Sequence, residues 1–224
     1  PHFKFLKNIL HNIIDSKNFT ELVGEIIIAC SEVNDSELFK SNIISHNKII
    51  ISNVNTKCNA SMNRNRGWSI ANGKYITFMD ADDSYHLNRF QIIYDILKEY
   101  NCDSVIHNYE YRNLNISDIK YNKFNIIDSK TIYEKTFPDH KFINFDKNFY
   151  KNNTGLTYLK PCLPYKIAHG HSIIKNKIIY KYNEEFIQGE DGLILREILF
   201  NNKNSGVIYC DVALSNLGIL YKKS

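Results

Sequence analysis

Three short apolar runs, separated by segments with helical periodicity, limit the folds open to this chain. They are Glu25-Ile26-Ile27-Ile28-Ala29-Cys30, Lys48-Ile49-Ile50-Ile51 and Lys74-Tyr75-Ile76-Thr77-Phe78-Met79. A strand wet on one face alternates polar with apolar; an unbroken apolar run fits a strand covered on both faces, as in a parallel sheet. Around these runs Phe3, Leu6, Leu10 and Ile13 fall at offsets of three and four, predicting an opening helix. Residues 59 to 70 read as a second helix, closed by Asn72-Gly73. Asp83 and Ser84 are expected to cap a third that carries Leu87, Phe90, Ile93 and Leu97 on one face. Helix and strand in alternation specify a three-layer α/β/α fold, doubly wound about a mainly parallel sheet.

Further along, Cys102 to Asn108 predicts another strand, and the polar, aromatic-rich stretch to about Lys160 has no clear period. Order returns with His171 to Ile179, a helix from Asp191 to Phe200 and a strand from Gly206 to Cys210. With no repeat, linker or charge block, residues 1–224 are expected to form a single domain. The 43% hydrophobic content is that of a packed globular protein.

A net charge of +4 comes from scattered Lys and Arg, which argues against nucleic acid as partner and suits attraction of a phosphorylated small substrate. Five widely spaced cysteines without a Cys-x-x-Cys pair argue against a zinc site and a disulfide framework, so a reducing, cytoplasmic setting is expected. No apolar run approaches the roughly 20 residues of a membrane span, so no transmembrane segment is expected.

Chemistry concentrates where the third apolar run ends, at Asp80-Ala81-Asp82-Asp83. Open α/β sheets bind ligands beyond the carboxyl ends of their strands. Two carboxylates two positions apart offer hard oxygens to Mg²⁺ or Mn²⁺, whose other positions diphosphate oxygens and water can fill. Taken alone, such a turn could equally cap the next helix.

The surrounding residues are more specific. Ser61, Arg64, Asn65 and Gly67, then Ala71, Gly73, Tyr75, Ile76 and Phe78, then Asp80, Asp82 and Asp83 stand as in the donor-site segment of family-two glycosyltransferases with the GT-A fold, which this stretch resembles. The resemblance implies a metal-dependent transferase with a nucleotide-sugar donor and a glycan, protein or lipid-linked acceptor. It also implies that 1–108 is the nucleotide-sugar-binding half of the domain and 109–224 its acceptor-binding half. Arg64 would reach the diphosphate, Asp82 would ligate the metal, and Asp80 would bind the ribose or assist the metal.

Gly189-Glu190-Asp191, after an aromatic strand segment ending in Phe186, is similar to the family's second signature. In inverting members the Asp is the general base, so Asp191 would deprotonate the acceptor hydroxyl; Glu190 and Asp191 would alternatively favour a helix N-terminus. His169 and His171 fall where the family supplies acceptor or donor contacts, and Glu190 is a further candidate for such a contact. The chain departs from the family twice. It starts at Pro1 with the first helix already beginning, so the family's opening strand is expected to be missing. The second strand, which commonly ends in Asp-Asp, here ends in Cys30 and Ser31; Ser31 would take the nucleobase-side position, and uridine preference is not implied. Two alternatives remain open. A haloacid-dehalogenase-like phosphatase would use Asp80 as nucleophile, and a degenerate GT-A domain would bind a glycan or partner without catalysis.

Overall fold

A computed structural model of the chain describes residues 5–33, 46–110, 126–128, 173–176, 181–186, 190–201 and 207–216. Helix α1 (Leu6–Ile14) lays Leu6, Ile9, Leu10 and Ile13 on one buried face, each contributing about 1.5–3 kcal/mol by leaving water. Phe19 of the short helix α2 (Phe19–Leu22) joins that cluster. Strand β1 (Ile26–Ser31) follows and pairs in parallel with β2 (Ile49–Val54), Ile26 opposite Ile49 through Ser31 opposite Val54.

The unbroken apolar run of β1 has the expected cause. Its Ile28 packs into the α1 cluster, while Ile27 and Ala29 face α3 (Ala60–Ile70), where the position of a Cβ on Gly67 lies 3.5 Å from Ala29 Cβ and 3.6 Å from Ile27 Cγ2. The expectation fails for β2, whose Ile50 and Ile51 are exposed; among the described residues this strand pairs with β1 alone.

Strand β3 (Tyr75–Thr77) belongs to a second sheet, ordered β3, β7 (Ile173–Lys175), β5 (Ser104–Glu110), β8 (Val207–Asn216) and β4 (Ser84–Tyr85), with β6 (Ile126–Asp128) also on β8. Parallel pairing holds at β1–β2 and β5–β8; the other described pairs are antiparallel. Strands from both halves of the chain interleave in this sheet, β5 lying between β7 and β8.

Helix α4 (Arg89–Tyr100) buries Ile92, Ile93 and Ile96 against Val105, Ile173 and Leu214, and Asn101 closes it in the left-handed region with φ 46°. It begins later than Asp83 and Ser84 predict. Ser84 and Tyr85 are drawn instead into a ladder with Asn216 and Ser215, the helix cap falls at Asn88, and Leu87 stands exposed ahead of the first turn. Helix α5 (Glu190–Asn201) buries Ile194, Leu195 and Ile198 and starts one residue before the expected Asp191.

Candidate active site

Helix α3 carries polar residues where an ordinary surface helix would carry an apolar stripe, and it is fastened on every side by hydrogen bonds. Asn59 caps it, its Oδ1 accepting from the Met62 amide at 2.9 Å. Arg66 donates to the carbonyls of Cys30 at 2.6 Å and Ser52 at 3.2 Å, tying the helix to β1 and β2. Trp68 donates to Asn176 Oδ1 at 3.2 Å and packs on Phe78 with ring centroids 5.5 Å apart. Its place is structural.

Arg64 faces the Asp turn. Its Nη2 donates to Asp80 Oδ1 at 2.9 Å and its Nη1 to Glu190 Oε1 at 2.5 Å. One guanidinium therefore joins the two acidic motifs, which lie more than a hundred residues apart in sequence. Burial alone would lower the Arg64 pKa, but Asp80, Tyr182 and Glu190 together raise it above its ordinary value, so it is a fixed cation. The Tyr182 ring lies under it, 5.1 Å from centroid to guanidinium carbon. Burial pushes the Tyr182 phenol up, opposed by Arg64 and reinforced by Asp191, Asp80 and Glu190, so the hydroxyl stays neutral among three carboxylates.

Beyond Thr77 the chain leaves the β3 ladder, and the turn closes with the Asp83 amide donating to the Asp80 carbonyl at 3.2 Å. Tyr85 holds this turn from below, its hydroxyl oxygen accepting from the Asp80 amide at 3.1 Å. Tyr85 is itself gripped by Asn12, which accepts from its N–H at 2.7 Å and donates to its carbonyl at 3.0 Å. Arg89, fully buried beneath, donates to Thr77 Oγ1 at 2.8 Å and lies 5.1 Å from the Tyr85 ring centroid. Burial pulls the Arg89 pKa down to about 10, with Tyr85 opposing, which leaves a cation at neutral pH.

Asp191 stands in the first turn of α5, half-buried, its Oδ1 accepting from the Gly192 amide at 2.8 Å. Of the sequence-predicted residues, the structure thus gathers Arg64, Asp80 and Glu190 in direct contact, with Asp82 two residues from Asp80 and Asp191 next to Glu190. Ser31 lies apart at the end of β1, where its Oγ accepts from the Cys58 amide at 3.3 Å. His169, His171 and Gly189 lie outside the described residues. The segment 181–186, expected as a strand, joins no ladder; the side-chain amides of Asn59 and Asn65 bond its backbone instead. Sequence reasoning missed Tyr182, Asn12 and Tyr85 and gave Asn65 no role beyond its place in the motif. Asn65 sits inside the recognisable motif, but the partner that gives it a role is 117 residues away.

Among the described residues no three His, Cys, Asp or Glu side chains converge as a metal cage. The residues present nonetheless fit Mg²⁺ or Mn²⁺ of the kind that takes a few carboxylate oxygens and fills its shell from phosphate and water. Asp80, with a side chain 46% exposed, and Asp82 are hard oxygen donors on a turn that opens to solvent.

The family model described as Glycosyl transferase family 2 matches residues 3–165. A stretch of 76 residues, 34% of this chain, is 32% identical to Glycosyltransferase GlyG of Streptococcus pneumoniae serotype 4 and spans 25% of that protein. Among solved structures, S. aureus TarS 1-349 in complex with UDP-GlcNAc superposes with a TM-score of 0.62 at 14% identity, over 96% of this chain and 55% of that one. A mycobacterial protein superposes with a TM-score of 0.56 at 11% identity, covering 96% of this chain and 63% of that one. The chain therefore spans a quarter of GlyG and rather more than half of each of these two structures.

Proposed function

The chain belongs to glycosyl transferase family 2, and from that premise we propose that it moves a sugar from a nucleoside-diphosphate sugar to an acceptor hydroxyl with inversion at the anomeric carbon. The observation that carries this is the Arg64 bridge, 2.9 Å to Asp80 and 2.5 Å to Glu190. It joins the Asp turn to the Glu-Asp motif through one buried cation, which supports reading the two motifs as parts of one site. GT-A relatedness supports the same placement beyond the sheet's carboxyl edge. The family match leaves the phosphatase alternative without support.

In this reading the acceptor oxygen attacks the anomeric carbon from the face opposite the diphosphate. Its bond to carbon forms as the carbon–oxygen bond to the diphosphate breaks, the nucleoside diphosphate departs, and the hydroxyl proton passes to Asp191. Asp82, with Asp80, would hold Mn²⁺ or Mg²⁺, which when bound supplies positive charge against the departing diphosphate. Arg64 holds Asp80 and Glu190 in register and adds a desolvated cation at the same end. Glu190 orients the start of α5 through that bond, and Ser31, at the end of β1, would take the nucleobase-side position. His169 and His171 remain candidates for acceptor or donor contact.

TarS, bound to UDP-GlcNAc in its structure, makes a UDP-sugar the first donor to try; the acceptor class is a glycan, a protein or a lipid-linked hydroxyl. The wide cysteine spacing supports a reducing, cytoplasmic setting as a proposal; among the described residues no helix is long and apolar enough to cross a membrane. Calorimetric titration with UDP-, GDP- and dTDP-sugars, with and without Mn²⁺, tests the proposal. Metal-dependent binding of one sugar nucleotide is expected; binding of none would contradict it.

A further inference from the structure

We propose that Asn65 is a positioning residue for sugar transfer: by clipping the backbone of Tyr182 to α3, its carboxamide sets where Glu190 and Asp191 stand relative to Asp80. This rests on the function proposed above. Asn65 Nδ2 donates to the Tyr182 carbonyl at 2.8 Å, and Asn65 Oδ1 accepts from the Tyr182 N–H at 2.8 Å. Both backbone polar groups of one residue are thus satisfied by one side chain, as a neighbouring strand would satisfy them, in a segment that belongs to no sheet. Asn59 extends the fastening to the carbonyls of Glu184 at 2.7 Å and Phe186 at 3.4 Å.

The clipped residue touches both sides of the site. The buried Tyr182 ring meets Phe78 edge-on at 5.0 Å, two residues before Asp80, and lies 5.1 Å from the Arg64 guanidinium. From Phe186 to Glu190 the chain can span at most roughly 14 Å, at about 3.3–3.6 Å per residue. Anchoring 182–186 therefore confines the start of α5, and Asp191 with it. Arg64 and Asn65, adjacent on α3, divide the work: Arg64 joins the carboxylates, and Asn65 holds the strap that delivers them.

Asn65→Ala leaves the Tyr182 N–H and carbonyl without these partners in a buried setting. The base is then displaced while the metal turn, held by Tyr85 and Arg89, is not. An error of about 1 Å in such a group can cost on the order of 10²-fold in rate, so kcat is expected to fall roughly 10- to 100-fold with donor Kd held within about threefold.

The test uses the sugar nucleotide turned over fastest in a panel of UDP-, GDP- and dTDP-sugars with Mn²⁺. It reads release of nucleoside diphosphate at a temperature where every variant is folded. Glu184→Ala is the control, because Asn65 Nδ2 also reaches Glu184 Oε1 at 2.9 Å on the surface; it is expected to match the parent. An unchanged kcat for Asn65→Ala, a donor affinity that falls by the same factor as kcat, or a Glu184→Ala variant equally impaired would each overturn the assignment. Asp191→Asn is measured alongside. If it stays active, the base assignment fails, and the Asn65 variant still decides whether the strap must be clipped for turnover.

Discussion

Replacing Arg64 by methionine keeps most of the side chain's volume and removes the charge that joins the two acidic motifs. The two arms of its bridge differ in weight. Glu190 has a side chain only 10% exposed and Arg64 one of 14%, so that arm is a buried ion pair. Breaking such a pair from one side strands a buried charge and costs about 3–5 kcal/mol. Asp80, 46% exposed, is screened by water, and its arm adds about 0–1 kcal/mol. For a domain of this length each kcal/mol moves the melting temperature by about 2–4 °C, so Arg64→Met is expected to melt roughly 6–24 °C below the parent. Most of that loss comes from the orphaned Glu190 carboxylate. Adding Glu190→Gln to Arg64→Met should therefore restore at least half of it, giving a double variant more stable than the single one. Calorimetric melting of parent, both single variants and the double variant measures the coupling directly. A single variant melting within about 1 °C of the parent, or a double variant no better than Arg64→Met, would refute the view that burial of Glu190 makes this arm dominant.

Asp82→Asn keeps the shape of the Asp turn and removes one hard anionic ligand, so Mn²⁺-dependent donor binding should weaken at least tenfold with little change in melting temperature; titration with and without Mn²⁺ reads it. At Gly67 an added Cβ meets Ala29 and Ile27 at ordinary contact distance, so Gly67→Ala should be neutral or stabilise by up to about 1 kcal/mol through helix propensity. Gly67→Leu has no such room and should cost about 1–3 kcal/mol in denaturant unfolding.

The sequence made the local elements legible where one face decided them. The 3–4 spacing of Leu6, Leu10 and Ile13 fixes α1, and the run Ile26 to Cys30 fixes β1 with cover on both faces. It misplaced the start of α4 because Asp83 and Ser84 are good caps in isolation, whereas the ladder to Ser215 and Asn216 is a long-range pairing that no local pattern announces. The direction in which an individual strand pairs was illegible for a similar reason. Tyr75-Ile76-Thr77 reads as a buried strand either way, and only the distant Ile173–Lys175 makes it antiparallel. Within the candidate site, the motif named Arg64, Asp80 and Asp82, and the structure brings the first two into contact. The Asn12 and Asn65 clips escaped because an asparagine's value lies in the backbone it meets, 73 and 117 residues away.

Asp191 as general base is the central claim, and it is tested most directly by single-turnover transfer and donor titration on Asp191→Asn. Asparagine can still accept the Gly192 amide that Asp191 Oδ1 now accepts, so the start of α5 should persist. A base acts on the acceptor, and its loss is expected to cost about 10²–10⁴ in rate while donor and Mn²⁺ affinity stay close to the parent's. A carboxylate that merely favours the helix N-terminus would contribute about 0.3–1 kcal/mol of stability and leave the chemical step alone. Transfer within about threefold of the parent would contradict the account and move the base to another carboxylate, Glu190 first.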